Sequence, residues 1–288
     1  MRPTTVQFNF KQRPHNPKAQ LHTQTSQHKL FYNLNILYFN TNSLVNKLDE
    51  LKARISSVEP DIIATSETHF TTNHDNPYCS LSGYNVFRCD RKNGLHSGVA
   101  LYFKSSISSY LIHSAADDQG EWESVWCCIQ LSKTCSYKIG CCYRIPSSAL
   151  PTHWPSFLAS LNYTMNILPQ APTLIVGDFN FPTTDWKNMH TSQSDSSASY
   201  DLLEFIQDQD LVQHVTQPTR HRNGQRSSLL DLIISSSKLQ IDTITHQAPL
   251  GRNDHDVLFF QLDTDFGTSV LFAPNQLLQI TAKQTMLC

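Results

Sequence analysis

A carboxylate and an amide stand two residues apart in the stretch Thr173 to Asn180, which reads T-L-I-V-G-D-F-N. Thr173 to Val176 are apolar or β-branched, as in a short strand buried on both faces. Gly177 then lets the backbone turn or be approached closely, and Asp178 and Asn180 leave the strand end together. Alone, this pattern also fits an ordinary turn with Asp and Asn as turn formers. Five other segments place polar groups beside apolar runs: Asn40, Glu67, Tyr143, Asp231, and Asp254 with His255. Carboxylates, amides, a phenol and an imidazole, with no Ser or Cys nucleophile in a special turn, suit metal-assisted hydrolysis of a phosphate ester. Such chemistry needs a hard divalent ion on oxygen ligands, a group that orients or deprotonates water, and an acid near the leaving oxygen.

The elements that must carry these groups follow from periodicity. Leu34 to Asn40 reads as a strand, and Asn42 or Ser43 caps a helix with apolar positions Leu44, Leu48, Leu51, Ile55 and Val58, stopped by Pro60. Asp61 to Glu67 is a second buried strand; if parallel to the first, it brings Asn40 and Glu67 to one sheet edge, where open α/β sheets hold ligands. Tyr84 to Arg88, Val99 to Phe103, Ser124 to Leu131 and Tyr137 to Tyr143 form a meander, with turns at Asn93-Gly94 and Lys133-Thr134. A helix is expected over Trp154 to Leu168, a polar loop over Asp185 to Ser199 and a helix over Tyr200 to Gln209. Strands follow at Ser228 to Ser235, Ile241 to Thr245 and Val257 to Leu262. Asp231 sits among Leu229, Leu230, Leu232 and Ile233, so its burial demands a cationic or strongly donating partner. Together these predict one domain of two sheets packed face to face with helices outside.

Composition narrows the partners. Among 288 residues, the first thirty carry five basic and no acidic groups, leaving 17 basic against 24 acidic in the rest. Residues 1–30 read as a disordered basic arm, 31–265 as the folded domain and 266–288 as a tail. An acidic body argues against a plain phosphate-hugging surface but suits carboxylates gathered around a metal. The stretch Pro218 to Arg226, with Arg220, Arg222 and Arg226, is either a solvated loop or a contact to a phosphate backbone. No apolar run is long enough for a membrane span, and the polar start lacks the h-region of a secretory signal. The eight cysteines contain no C-x-x-C pair, and Cys127, Cys128, Cys141 and Cys142 fall in strand-like runs as small buried hydrophobes. A reducing intracellular compartment is expected.

In order along the chain, N at Asn40, E at Glu67, Y-R at Tyr143-Arg144, G-D-F-N at 177–180, L-D-L-I at 230–233 and D-H at 254–255 resemble the endonuclease/exonuclease/phosphatase superfamily over about residues 33–262. Each motif is weak alone; the ordered set is specific. Within that superfamily the chain is most similar to the endonuclease domain of non-LTR (LINE-type) retrotransposons. That similarity rests on N-x-N-S-L-x-N-K-L-D-E-L at 40–51, S-E-T-H-F at 66–70, G-Y-N-V-F-R-C-D-R at 83–91, G-V-A-L-Y at 98–102, and Q-P-T-R ahead of S-L-L-D-L-I-I.

The resemblance implies an α/β (α+β) four-layer sandwich, deoxyribonuclease I-like, with two packed mixed β-sheets flanked by helices. It implies Glu67 as main Mg²⁺ ligand (Mn²⁺ a substitute), with Asn40 beside it and Asp254 assisting. Asp178 would hold the attacking water and Asn180 orient it or a phosphate oxygen. His255, paired with Asp231, would contact the scissile phosphate, and Tyr143 would donate to phosphate or leaving oxygen. Arg144, Arg220, Arg222 and Arg226 are the candidate nucleic-acid contacts. The implied reaction is attack of water on double-stranded DNA leaving 3′-hydroxyl and 5′-phosphate, the nick that primes reverse transcription, with a reverse transcriptase domain or the element's RNA as further partners and the nucleus as the place of action. The competing readings are a same-fold phosphatase or phosphodiesterase on a lipid or inositol substrate, and a catalytically dead retroelement remnant. Two positions depart from the pattern: Asn253, where the family usually has Ser, and Asn42, where some relatives carry an acid. The chain reads as a fragment of an element's open reading frame or a host-derived remnant.

Overall fold

Alternation along the first strand shows how the layers are built. In β1 (Asn33–Asn40), Ile36 and Tyr38 face one side of the sheet and Leu37 and Phe39 the other, and all four are fully buried. A strand buried on both faces needs a layer on each side. The structure, a computed structural model, describes residues 33–71, 73–91, 97–146, 154–192, 197–237 and 239–264. The expected arm, tail and Asn93-Gly94 turn lie outside these residues.

After β1 come α1 (Leu48–Val58), β2 (Ile62–Ser66), α2 (Asn76–Cys79), β3 (Tyr84–Cys89), β4 (Val99–Lys104), β5 (Ser108–Ala116), β6 (Trp122–Ser132) and β7 (Cys135–Arg144). The second half holds α3 (Trp154–Asn166), β8 (Thr173–Asp178), β9 (Thr184–Asp185), β10 (His190–Thr191), α4 (Ala198–Asp208), β11 (Leu211–Gln213), β12 (Asp231–Ser236), β13 (Gln240–Ile241), β14 (Thr245–Gln247) and β15 (Val257–Asp263). One sheet runs β13-β15-β1-β2-β4-β3, with β14 also on β15, and the other runs β11-β12-β8-β7-β6-β5. Each is mixed, with a single parallel pair: β1 with β2, joined through α1, and β7 with β8, joined through α3.

Between the sheets lies a core of Ile36, Tyr38, Leu101, Cys127, Ile139, Val176, Ile233 and Phe260 among others. Outside one sheet, Leu37, Phe39, Ile63 and Tyr102 pack with Leu44, which precedes α1, and Leu51 of α1. Outside the other, Trp126, Cys142 and Ile175 meet Phe157 and Leu161 of α3 and Leu202 and Ile206 of α4. The four-layer sandwich expected from the motifs is therefore present. Cys127, Cys128, Cys141 and Cys142 are buried, unpaired thiols filling it.

Several boundaries differ from the sequence reading. The first helix opens at Leu48 rather than just past Ser43, because Asn42 and Ser43 take positive φ (40° and 77°) in a tight turn. The fourth helix opens within the Ser-rich stretch, where Ser197 accepts a hydrogen bond from Tyr200 N as its cap. Strand β5 went unread because it alternates weakly at a sheet edge. Asp231 opens β12 instead of lying within the strand. Among the described residues, no helix is long and apolar enough to cross a membrane.

Candidate active site

Strand direction gathers the polar residues at one rim. Parallel pairing puts Asn40 opposite Ser66, one residue before Glu67, and Tyr143 opposite Asp178. Antiparallel pairing makes Asp231, at the start of β12, the register partner of Asp178 at the end of β8. Strand β15 runs antiparallel to β1, so Asp254 and His255, just before it, arrive beside Asn40. Loop and strand ends of both sheets thus line an open cleft of about 280 Å³ with Asn40, Glu67, Asp178, Asn180, Asp254 and His255.

Side-chain geometry divides the cleft. On one wall, Asn40 Nδ2 donates to Glu67 Oε1 at 2.9 Å and Asp178 Oδ2 at 3.0 Å, while Asn40 Oδ1 accepts from Asn42 N at 3.0 Å. The Tyr143 hydroxyl lies in the field of Glu67 and Asp178. Burial first, then the nearby Glu67 and Asp178 charges, raises the Tyr143 phenol and keeps it a proton donor. On the other wall, His255 Nδ1 lies 2.7 Å from Asp231 Oδ2, and its Nε2 lies 3.9 Å from Asp178 Oδ2. Tyr38 completes Asp231, donating to Oδ1 at 2.9 Å. The partner required for a buried Asp231 is thus an imidazole and a phenol together.

These contacts set the protonation states. Burial raises the Asp178 carboxyl, helped by the charges of Asp231 and Glu67 and opposed by His255 and Asn40. Burial works against a charged His255, yet Asp231, Asp178 and Asp254 carry it up to about 9. A protonated imidazole is a poor ligand, since metal coordination takes the neutral ring. Asp178, Asp231 and His255 do form a buried group whose ligating atoms lie within 4.8 Å of one another. Asp231 is already held by His255 and Tyr38, however. The donor set that fits a hard cation is the pair of carboxylates on the other wall, Glu67 and Asp178, which the Asn40 Nδ2 bridges and which no cationic side chain neutralises in full.

Arg144 is not at the surface. It is 8% exposed, its Nη1 donates to Phe179 O at 3.1 Å and Asn180 O at 3.2 Å, and its guanidinium lies over the Phe181 ring at 4.3 Å. Asn180 Nδ2 returns a bond to Arg144 O at 2.6 Å. This clamp holds Asn180 at φ 52°, and Asn180 N donates to Asp178 Oδ1 at 3.0 Å. Arg144, expected as a nucleic-acid contact, thus turns its guanidinium inward onto the Asp178 turn. Asn180 likewise spends an amide hydrogen on that clamp. Arg220 and Arg222 line the cleft and bond to Asp254, whereas Arg226 is exposed and away from it.

The supporting roles of three residues escaped the sequence reading. Tyr38 was signalled only by sharing a strand face with Asn40 two positions on. Thr219 Oγ1 accepts from Leu230 N and Asp231 N, fixing the start of β12. Asn253 Nδ2 donates to Asn40 O, tying the His255 segment to β1.

Among solved structures, the endonuclease domain of TRAS1, a telomere-specific non-LTR retrotransposon, superposes with a TM-score of 0.60 at 16% identity, over 81% of this chain and 99% of that one. The AP endonuclease LMAP from Leishmania major gives 0.62 at 15% identity, over 81% and 88%. The catalytic domain of Xenopus laevis APE2 gives 0.58 at 16% identity, over 82% and 95%. This is the endonuclease/exonuclease/phosphatase fold. Residues 137–259 also match the family described as Endonuclease-reverse transcriptase, a span that holds Tyr143, Asp178, Asn180, Asp231 and His255 of the site. No curated protein matches the chain in sequence. The superfamily resemblance drawn from the ordered motifs is borne out.

Proposed function

We propose that the chain is a Mg²⁺-dependent endonuclease that nicks double-stranded DNA, leaving 3′-hydroxyl and 5′-phosphate ends, and serves a non-LTR retrotransposon's target-primed reverse transcription. The observation that carries this reading is the split cleft, with the Glu67 and Asp178 carboxylates joined through the Asn40 amide on one wall and the His255 imidazole paired with Asp231 on the other. The match to the Endonuclease-reverse transcriptase family and the likeness to the TRAS1 domain support the retroelement assignment.

Glu67, with Asn40 and Asp178 beside it, would hold the ion, which when bound would polarise a phosphoryl oxygen and favour hydroxide over water. Asp178 is aimed by Asn40 Nδ2 and Asn180 N and, with its raised carboxyl, accepts the proton of the attacking water. His255 presents Nε2–H to the phosphate, because Asp231 holds Nδ1 and keeps the ring charged. Tyr143, kept protonated by burial, donates to a phosphate or leaving oxygen. The DNA would lie across the cleft, with the arginine-bearing loop beside it.

Conversion of supercoiled plasmid to open circle tests the reading. The parent should nick in Mg²⁺ or Mn²⁺, stop in EDTA, and leave ends that a DNA polymerase extends without repair. Failure to nick at any pH from 6 to 9, or release of inorganic phosphate from an inositol phosphate instead, would sink it.

A further inference from the structure

The loop Pro218 to Arg226 is bound to the segment carrying His255. Asp256 N donates to Thr219 O at 2.8 Å, His221 N donates to Asp254 O at 2.7 Å, and Arg220 forms an isolated bridge with His255. This brings two guanidinium groups to the rim of the cleft. Arg220 Nε and Arg222 Nε both donate to one oxygen, Asp254 Oδ2, at 3.0 and 2.9 Å. Because each uses Nε, its Nη groups remain, and among the described residues they meet no protein acceptor. Two cations on one carboxylate leave a net positive charge, facing the acidic wall of Glu67 and Asp178.

We propose that Asp254 is a positioning residue and not a metal ligand: it fixes Arg220 and Arg222 so that their Nη groups grip a second phosphate of the strand, next to the one being cut. The proposal rests on the nuclease reading and deepens it. A divalent cation approaching Asp254 would meet two guanidinium charges and an oxygen already accepting two N–H bonds. An exposed guanidinium fork suits a phosphate, whose oxygens accept two parallel donors. Burial acts to raise the Asp254 carboxyl, but the Arg220 hydrogen bond and the charges of His255, Arg220 and Arg222 outweigh it and hold the group ionised.

The test uses the full chain and two binding measurements. Fluorescence anisotropy with a labelled duplex in Ca²⁺ gives Kd as a function of NaCl, and Mn²⁺ titration followed by electron paramagnetic resonance gives ion affinity without DNA. Arg222→Gln and Asp254→Ala should each weaken duplex binding about tenfold and lower the salt slope by about one, the share of one phosphate contact. Mn²⁺ affinity of Asp254→Ala should stay within about twofold of the parent, because the ion sits on the opposite wall. A tenfold or greater loss of Mn²⁺ affinity in Asp254→Ala would overturn the proposal, as would an Arg222→Gln variant with the parent's duplex affinity and slope. Arg222→Gln, at an exposed position, keeps the test open should Asp254→Ala fail to fold. A parent that binds duplex with this slope yet never nicks would overturn the nuclease reading and leave the phosphate subsite standing; one that binds no duplex would overturn both.

Discussion

Asp178 and Asp231 are register partners across β8 and β12, and both carboxylates are buried. Two like charges cannot be held so close without compensation, and each finds a different kind. Asp231 takes the imidazole of His255 and the phenol of Tyr38, whereas Asp178 takes only amides and the far side of His255. The under-compensated member is thus the one facing the cleft. From this asymmetry come the predictions for the site.

The His255–Asp231 pair should show in pH dependence. Its folded value, about 9, lies above the ordinary 6.5, so its contribution to stability is complete below pH 6.5 and disappears as pH rises through about 9. His255→Gln should cost about 3 kcal/mol at pH 6, the scale for stranding one member of a buried pair, with the difference narrowing toward pH 9. Urea unfolding of both proteins across that range checks this. Nicking by the parent should fall on an alkaline limb near pH 9 that the variant lacks.

Arg144 should act through Asn180. Arg144→Ala strands the Phe179 and Asn180 carbonyls and should cost about 2–3 kcal/mol of stability. Arg144→Lys keeps the charge but not the forked donors, so kcat should fall about tenfold with KM for DNA nearly constant, a loss of positioning rather than binding. Were Arg144 a DNA contact, KM and the salt slope would change instead.

Gly177 admits no side chain. A Cβ there would lie 2.1 Å from Cys142 O on the paired strand β7, a backbone atom that cannot step aside. Gly177→Ala should therefore destabilise the fold by at least about 3 kcal/mol and displace Asp178. Thermal unfolding measures the first effect and residual nicking the second.

Much of this was legible in the residues, for physical reasons. Gly177 beside Asp178 allowed a turn or a close backbone approach, and the structure shows the approach, to Cys142 of β7. An Asp among four aliphatic residues announced a partner, and the partner is His255, twenty-four residues on. Strands buried on both faces implied four layers. What stayed hidden depended on direction and on tertiary contact. A sequence cannot show that the Arg144 guanidinium turns inward onto Phe181. Tyr38 looked like one more core aromatic until its hydroxyl met Asp231. The positive-φ turn at Asn42 and Ser43, which delays the first helix, follows from pinning by neighbours: Ser43 N donates to Glu67 O.

The account stands on Glu67 and Asp178 acting in one centre. Plasmid nicking by Glu67→Gln, Asp178→Asn and the double variant tests this directly. Each single change should lower kcat by about a thousandfold or more, and the double should be no slower than the worse single, because residues that act as a unit do not add. Losses that multiply in the double variant, or an Asp178→Asn protein as fast as the parent, would contradict it.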